Sequence, residues 1–160
     1  MKKKIVNGML LTSILSLMAS CGDPKKEETA AVDKEQVKKE IQAREDEFAA
    51  VYNSGELKNI GYYGDDAISY YQNREPLVGK EAIAEFLKGD VMANPNKIAF
   101  KTNEVFPSRD GNMVLEIGHF TVMDSTNTTL NSGNYMVLFE KRNGKYVSIR
   151  DMSASDRPME

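Results

Sequence analysis

Lys145-Tyr146-Val147-Ser148-Ile149-Arg150-Asp151-Met152-Ser153-Ala154-Ser155-Asp156-Arg157-Pro158 is the last strand-like stretch of the sequence. It follows an Asn143-Gly144 turn, alternates, and runs into a polar tail. Alternation predicts Val147, Ile149, Asp151 and Ser153 on one face, and Tyr146, Ser148, Arg150 and Met152 on the other. A carboxylate in an otherwise apolar row is either paired or used. Asp151 is therefore the first candidate for chemistry. Paired, it would meet Arg44, Arg74, Arg150 or backbone N–H groups. Unpaired and desolvated, it would serve as a general base, or as a neutral acid that donates a hydrogen bond.

Upstream of this stretch the sequence is strand after strand. Lys97 to Phe106 is followed by Pro107 and the turn Arg109-Asp110-Gly111. Met113 to Asp124 and Leu130 to Lys141 come next, and Asn143-Gly144 is a strong hairpin signal. Together these strands predict an antiparallel meander. Met113, Leu115 and Ile117 fall on one face of the second of them, with Val114, Phe120 and Val122 on the other. A strand apolar on both faces predicts that a second subunit covers the outer one.

The first half is largely helical. Asp33 is an N-cap for a helix to about Asn53, with Val37, Ile41, Phe48 and Tyr52 at helical spacing. Glu45 lies in the same stripe, about 40° from Ile41 on a helical wheel, which favours the stripe's watery edge. If it turned inward with Asp151, the two would form a carboxylate pair sharing a proton. Asn53-Ser54-Gly55 stops the helix. A short helix over 56–63, a strand over 67–72 and a second over 75–78 follow. Lys80 to about Val91 is a helix with Ile83, Phe86, Leu87 and Val91 on one side. Helices first and sheet later is an α+β arrangement.

The N-terminus reads as a leader. Lys2, Lys3 and Lys4 precede an apolar run from Ile5 to Met18, too short and too polar for a membrane span. Leu17-Met18-Ala19-Ser20-Cys21-Gly22 resembles a bacterial lipobox, with Met18 where Leu is more usual. The resemblance implies a signal peptide over residues 1–20, cleavage before Cys21, and acylation of that only cysteine. Each buried methylene of an acyl chain contributes about 0.8 kcal/mol to anchoring. Residues 21–33 are polar, charged and small, and read as a flexible tether. With Cys21 lipidated, no thiol remains for redox work or metal ligation. The formal net charge is −3, and it becomes more negative when the three leader lysines leave. An acidic domain is a poor nucleic-acid binder.

Within a domain expected over residues 34–160, the stretch from about Val37 to Pro158 resembles the nuclear-transport-factor-2-like superfamily, in its SnoaL-like and ketosteroid-isomerase-like group. The matching pieces are Phe48 with Tyr52-Asn53-Ser54-Gly55-Glu56-Leu57, Tyr63-Gly64-Asp65-Asp66-Ala67, and Gly79-Lys80-Glu81-Ala82-Ile83 leading to Phe86. The last is Gly144-Lys145-Tyr146 with Ile149, Asp151 and Ser155-Asp156-Arg157-Pro158. The resemblance implies a cone: a strongly curved, mixed, mostly antiparallel sheet wrapped around a long N-terminal helix, often dimeric through the sheet's outer face. It also implies an inner pocket. It implies no single reaction, so function must be argued from the site. Ser153 and Ala154 stand where relatives carry Trp and Asn.

Beyond Asp151 and Glu45, His119 is the only histidine and a third catalytic candidate. It shares its strand face with Leu115, Ile117 and Thr121, a setting more usual for a half-buried structural residue. Tyr52, Tyr70 and Tyr135 are candidate hydroxyl donors to a pocket that Phe48 and Ser153 also line. No zinc motif, P-loop or dinucleotide fingerprint is present, and neither metal nor cofactor is expected. Two functions fit. One is a non-catalytic lipoprotein of the cell envelope, binding a small apolar molecule or a partner protein. The other is a cofactor-independent isomerase, dehydratase or cyclase with a pocket carboxylate as base.

Overall fold

The computed structural model describes residues 31–57 and 60–157. The leader, Cys21, most of the tether and Pro158 lie outside the described residues. Of the tether's last residues, Val32 packs against the core, so the domain begins slightly earlier than expected.

Helix α1 spans Lys34–Ser54 and α2 spans Lys80–Ala93. The strands are β1 Tyr63–Tyr70, β2 Leu77–Val78, β3 Lys97–Pro107, β4 Met113–Met123, β5 Thr129–Arg142 and β6 Lys145–Ser155. They form one six-stranded sheet in the order β2-β1-β6-β5-β4-β3. Only β1 and β6 run parallel; every other pair is antiparallel. The fold is therefore α+β with a mixed, mostly antiparallel sheet. Register shifts interrupt four of the five pairings. Each bulge bends its strand and adds twist, which curls the sheet around α1.

Local chemistry sets the element ends. The Asp33 carboxylate accepts from the Glu35 and Gln36 amides at 3.0 and 3.1 Å, capping α1. Gly55, at φ 74°, closes that helix in the left-handed region. Asn143 and Gly144 take φ 51° and 79°, as a tight hairpin turn of mirrored type requires. Of the expected short helix over 56–63, Leu57 takes a 3-10 conformation and residues 58–59 lie outside the described residues; Gly61 and Tyr62 form a turn, and β1 begins at Tyr63, earlier than the alternation alone indicated. Strand β2 is shorter than the expected 75–78.

Helix α1 lies along the free edge of the sheet. The Asn53 amide donates to Ile98 O at 2.9 Å and accepts from Ile98 N at 2.8 Å. Gln42 likewise donates to Phe100 O at 3.2 Å and accepts from Thr102 N at 2.8 Å. Two helical side-chain amides thus act as a partner strand for β3. They satisfy backbone groups that would otherwise be open to pairing with another chain. Val37, Ile41, Phe48 and Tyr52 then face the sheet, where they pack with Ile83, Val105, Val114 and Phe139.

The expected face of β6 holds only in part. Leu138 pairs with Arg150 but the next residue, Phe139, pairs with Ser148, leaving Ile149 as an extra residue. A one-residue bulge reverses the alternation. Before it, Tyr146 and Ser148 are buried, while Val147 and Ile149 are only partly covered. After it, Asp151 and Ser153 turn inward. Asp151 therefore does not share a row with Val147 and Ile149; the bulge sends it inside.

Candidate functional site

Between α1, α2 and the concave sheet lies a cavity of about 300 Å³. Its walls are aromatic. Phe48 stacks on Tyr62 at 4.6 Å between ring centres and meets Tyr63 edge-on at 5.8 Å. Phe100 meets Tyr135 edge-on at 5.4 Å. Such pairs hold the rings rigid and add about 0.5–1.5 kcal/mol each beyond their burial.

Glu45 projects from α1 into this wall and is 1% exposed. It does not reach the watery edge that its position on the stripe suggested. The Tyr62 hydroxyl donates to its Oε1. Its carboxyl group lies beside that of Glu116 on β4, close enough for each to shift the other's titration. Glu116 Oε1 accepts from Thr102 Oγ1 at 2.6 Å and from the Tyr135 hydroxyl at 2.8 Å. Glu45 Oε2 and Glu116 Oε2 are buried and have no hydrogen-bond partner among the described residues. One proton held between the two carboxyls accounts for both atoms. Burial and the Glu116 charge push Glu45 well above the usual carboxylate range. Burial also raises Glu116, but its hydrogen bonds from Thr102 and Tyr135 oppose the rise. The two carboxyls therefore titrate as a pair, and the pair holds a proton more readily than an isolated carboxylate does.

Asp151 on β6, in the same row of the sheet as Glu116 with Val137 between them, has no cationic partner among the described residues. Arg44 is engaged with Tyr146 O, Glu47 and Gly61 O. Arg74 lies over the Phe86 ring at 4.2 Å. Arg150 donates to the Asp66 and Ile149 carbonyls. The Tyr63 hydroxyl donates to Asp151 Oδ2 at 3.3 Å, and Oδ1 is buried without a partner among the described residues. Burial pushes the Asp151 carboxyl up to about 6, against the opposing hydroxyls of Ser69 and Tyr63. Burial, with the Asp151 charge nearby, also raises Tyr63 and Tyr71, which stay protonated as donors. At the far end of the cavity the Tyr52 hydroxyl donates to Asp90 Oδ2.

Six of the sequence candidates, Asp151, Glu45, Phe48, Tyr52, Tyr135 and Ser153, line the cavity. The expected pairing does not form: Glu45 shares its proton with Glu116, and Asp151 acts on Glu45 only through its charge. Two candidates fall outside. His119 lies opposite the buried row Val114, Glu116 and Gly118 and faces away from the cavity. Tyr70 is 42% exposed, because Ala67 and Ser69 take the inward positions of β1. Tyr71, just past the strand, lines the cavity in its place. Glu116 and Asp90 were not anticipated. Glu116 sits in the apolar row Val114, Gly118 and Phe120, the same signal that marked Asp151.

No family model matches the sequence, and no curated protein is significantly similar to it. Solved structures are similar in fold. A ketosteroid isomerase-like protein from Erwinia carotovora atroseptica superposes with TM-score 0.59 at 18% identity, over 75% of this chain and 96% of that one. An NTF2-like protein with a cystatin-like fold from Novosphingobium aromaticivorans gives 0.61 at 14%, over 78% and 84%. Aln2 from a Streptomyces species gives 0.66 at 13%, over 78% and 94%. The curved sheet around a long helix, the pocket between them and these superpositions together establish the nuclear-transport-factor-2-like, cystatin-like fold.

Proposed function

We propose that this protein is a lipid-anchored component of the bacterial cell envelope whose pocket binds a small, mostly apolar molecule without transforming it. The observation that carries the binding role is the cavity itself: aromatic walls with a few polar groups at fixed points, the usual make-up of a small-molecule site. The anchor rests on the leader and Cys21. A thermal-shift screen with a panel of apolar envelope metabolites tests binding, and native mass spectrometry of freshly purified protein tests for a retained molecule. Stabilising hits and a bound mass are expected. No hit and no retained molecule would overturn the reading. Partition into a detergent phase, lost in Cys21→Ser, tests the anchor.

The unpartnered Asp151 favours a second reading, catalysis of the isomerase, dehydratase or cyclase class. Ionised Asp151 would take a proton from the carbon beside a carbonyl, and a tyrosine hydroxyl would donate to the enolate oxygen. In an isomerisation the proton then returns to a different carbon, leaving Asp151 ionised. Full turnover in Asp151→Asn would sink this reading.

A homodimer through the outer sheet face also fits. Tyr70, Met136 and Met152 are exposed there, beside Leu115 and Leu138. A monomeric mass in solution would refute it.

A further inference from the structure

We infer that the pocket takes an organic ammonium ion: an amine whose apolar body fills the aromatic cavity and whose charged nitrogen meets Asp151. This rests on the reading of the cone as a binding pocket and names the class of its ligand.

Three independent observations converge. The first is the balance of charge. Asp151, Asp90 and Glu45 line the cavity, and among the described residues no Lys, Arg or His lines it. Glu116 adds a further carboxyl behind Glu45. A cavity walled by low-dielectric aromatic surface focuses such a field. It repels carboxylates and phosphates and attracts cations.

The second is an unmet hydrogen-bonding need. Asp151 Oδ1 is buried and has no partner among the described residues. The ion pairs among the described residues leave Asp151 out. An isolated buried carboxylate is costly. A hydroxyl from a neutral ligand would supply one hydrogen bond and leave the charge unopposed. A primary ammonium supplies three donors and the compensating charge at once. The Glu45–Glu116 pair differs on this point, because one proton shared between the two carboxyls would satisfy both unpartnered oxygens.

The third is the wall chemistry. Phe48, Tyr63, Tyr71 and Phe86 all line the cavity, and their ring faces attract a cation at short range. Phe86 already does so on one face, where the Arg74 guanidinium lies 4.2 Å from its ring centre. The tyrosine hydroxyls stay protonated and point the same way electrostatically, since each is held by a carboxylate: Tyr62 by Glu45, Tyr63 by Asp151 and Tyr52 by Asp90.

Three probes of matched shape test the inference: 2-(1-naphthyl)ethylamine, 2-(1-naphthyl)ethanol and 1-naphthylacetate, with binding read from naphthalene fluorescence and calorimetry at pH 7.5. The amine is expected to bind at least tenfold more tightly than the alcohol, and the carboxylate most weakly. Asp151→Asn keeps the shape and removes the charge. It should bring the amine to the alcohol's affinity and leave the alcohol's unchanged. If the alcohol binds as tightly as the amine, the inference falls while the pocket reading stands. If no probe binds, both fall. An amine preference that survives Asp151→Asn would also overturn the assignment, since another group would then carry it. The comparison of the three probes on the unaltered protein decides the ligand class even if the variant does not fold.

Discussion

The carboxyl groups of Glu45 and Glu116 lie side by side, Glu45 reaching from the long helix into the cavity wall and Glu116 standing behind it in the middle of β4. One oxygen of each is held, by Tyr62 on one side and by Thr102 and Tyr135 on the other, and the two unpartnered oxygens would be satisfied by one proton shared between them. Such a network stabilises only while every member is satisfied.

Glu45→Gln mimics the protonated acid. Its amide accepts from Tyr62 and donates to Glu116. The variant is expected to match the wild type at pH 5 and to exceed it at pH 8, where the wild type must still hold a proton on Glu45. Glu116→Leu instead strands Glu45, Thr102 and Tyr135, and should cost at least about 3 kcal/mol. Urea unfolding at both pH values measures each. A Glu45→Gln protein less stable than wild type at pH 8 would contradict the shared proton.

Stability should fall as pH rises from about 4 to about 6 on account of Asp151. Its carboxyl is raised from 3.8 to about 6 in the fold, so the native state binds more protons than the unfolded state across that window. The contribution is fully present below the lower value and lost above the upper one. Full loss corresponds to about 3 kcal/mol. Asp151→Asn removes this slope, and the difference between the two proteins isolates it from other titrations. Parallel stability curves for wild type and Asp151→Asn between pH 4 and 7 would count against the desolvated carboxylate.

Gly118→Ala should be destabilising even though alanine ordinarily suits a strand better than glycine. A Cβ at Gly118 would stand 2.2 Å from Tyr135 Cζ and 2.3 Å from its hydroxyl. The ring of Tyr135 covers the glycine that pairs with it across the strands. Moving the ring also draws its hydroxyl off Glu116. A loss of about 1–3 kcal/mol is expected in chemical denaturation. An unchanged midpoint would show that the ring has room to retreat.

Deleting Ile149 should be far worse than truncating it. Ile149→Ala keeps the bulge and removes part of a half-buried side chain, for about 1 kcal/mol. Deletion removes the extra residue and forces one end of β6 to present its wrong face, at about 4 kcal/mol or more. Circular dichroism melts of the two variants compare them directly. Equal losses would mean that the bulge is not what sets the face of Asp151.

Much of this fold was legible in the sequence because its signals are local. The cap at Asp33, the stop at Gly55, the Asn143-Gly144 turn and the stripe Val37, Ile41, Phe48, Tyr52 each lie within a few residues of what they specify. Asp151 stood out as a carboxylate between strand residues, and it does line the pocket. Tyr70 and Tyr71 are adjacent and equally suited to a wall. Which of them turns inward depends on where β1 ends.

Three features only the tertiary structure decided. The face of Asp151 is set by the unpaired Ile149, and a bulge is a property of two strands, not of one. The partner of Glu45 is Glu116, because the curl of the sheet brings the middle of β4 under the second half of α1. The open charge of Asp151 follows from where every nearby arginine goes instead. Alternation and helical spacing fix which residues share a face of their own element. They do not fix which faces meet, because that depends on the bulges that bend the sheet and on the packing that closes it around the helix.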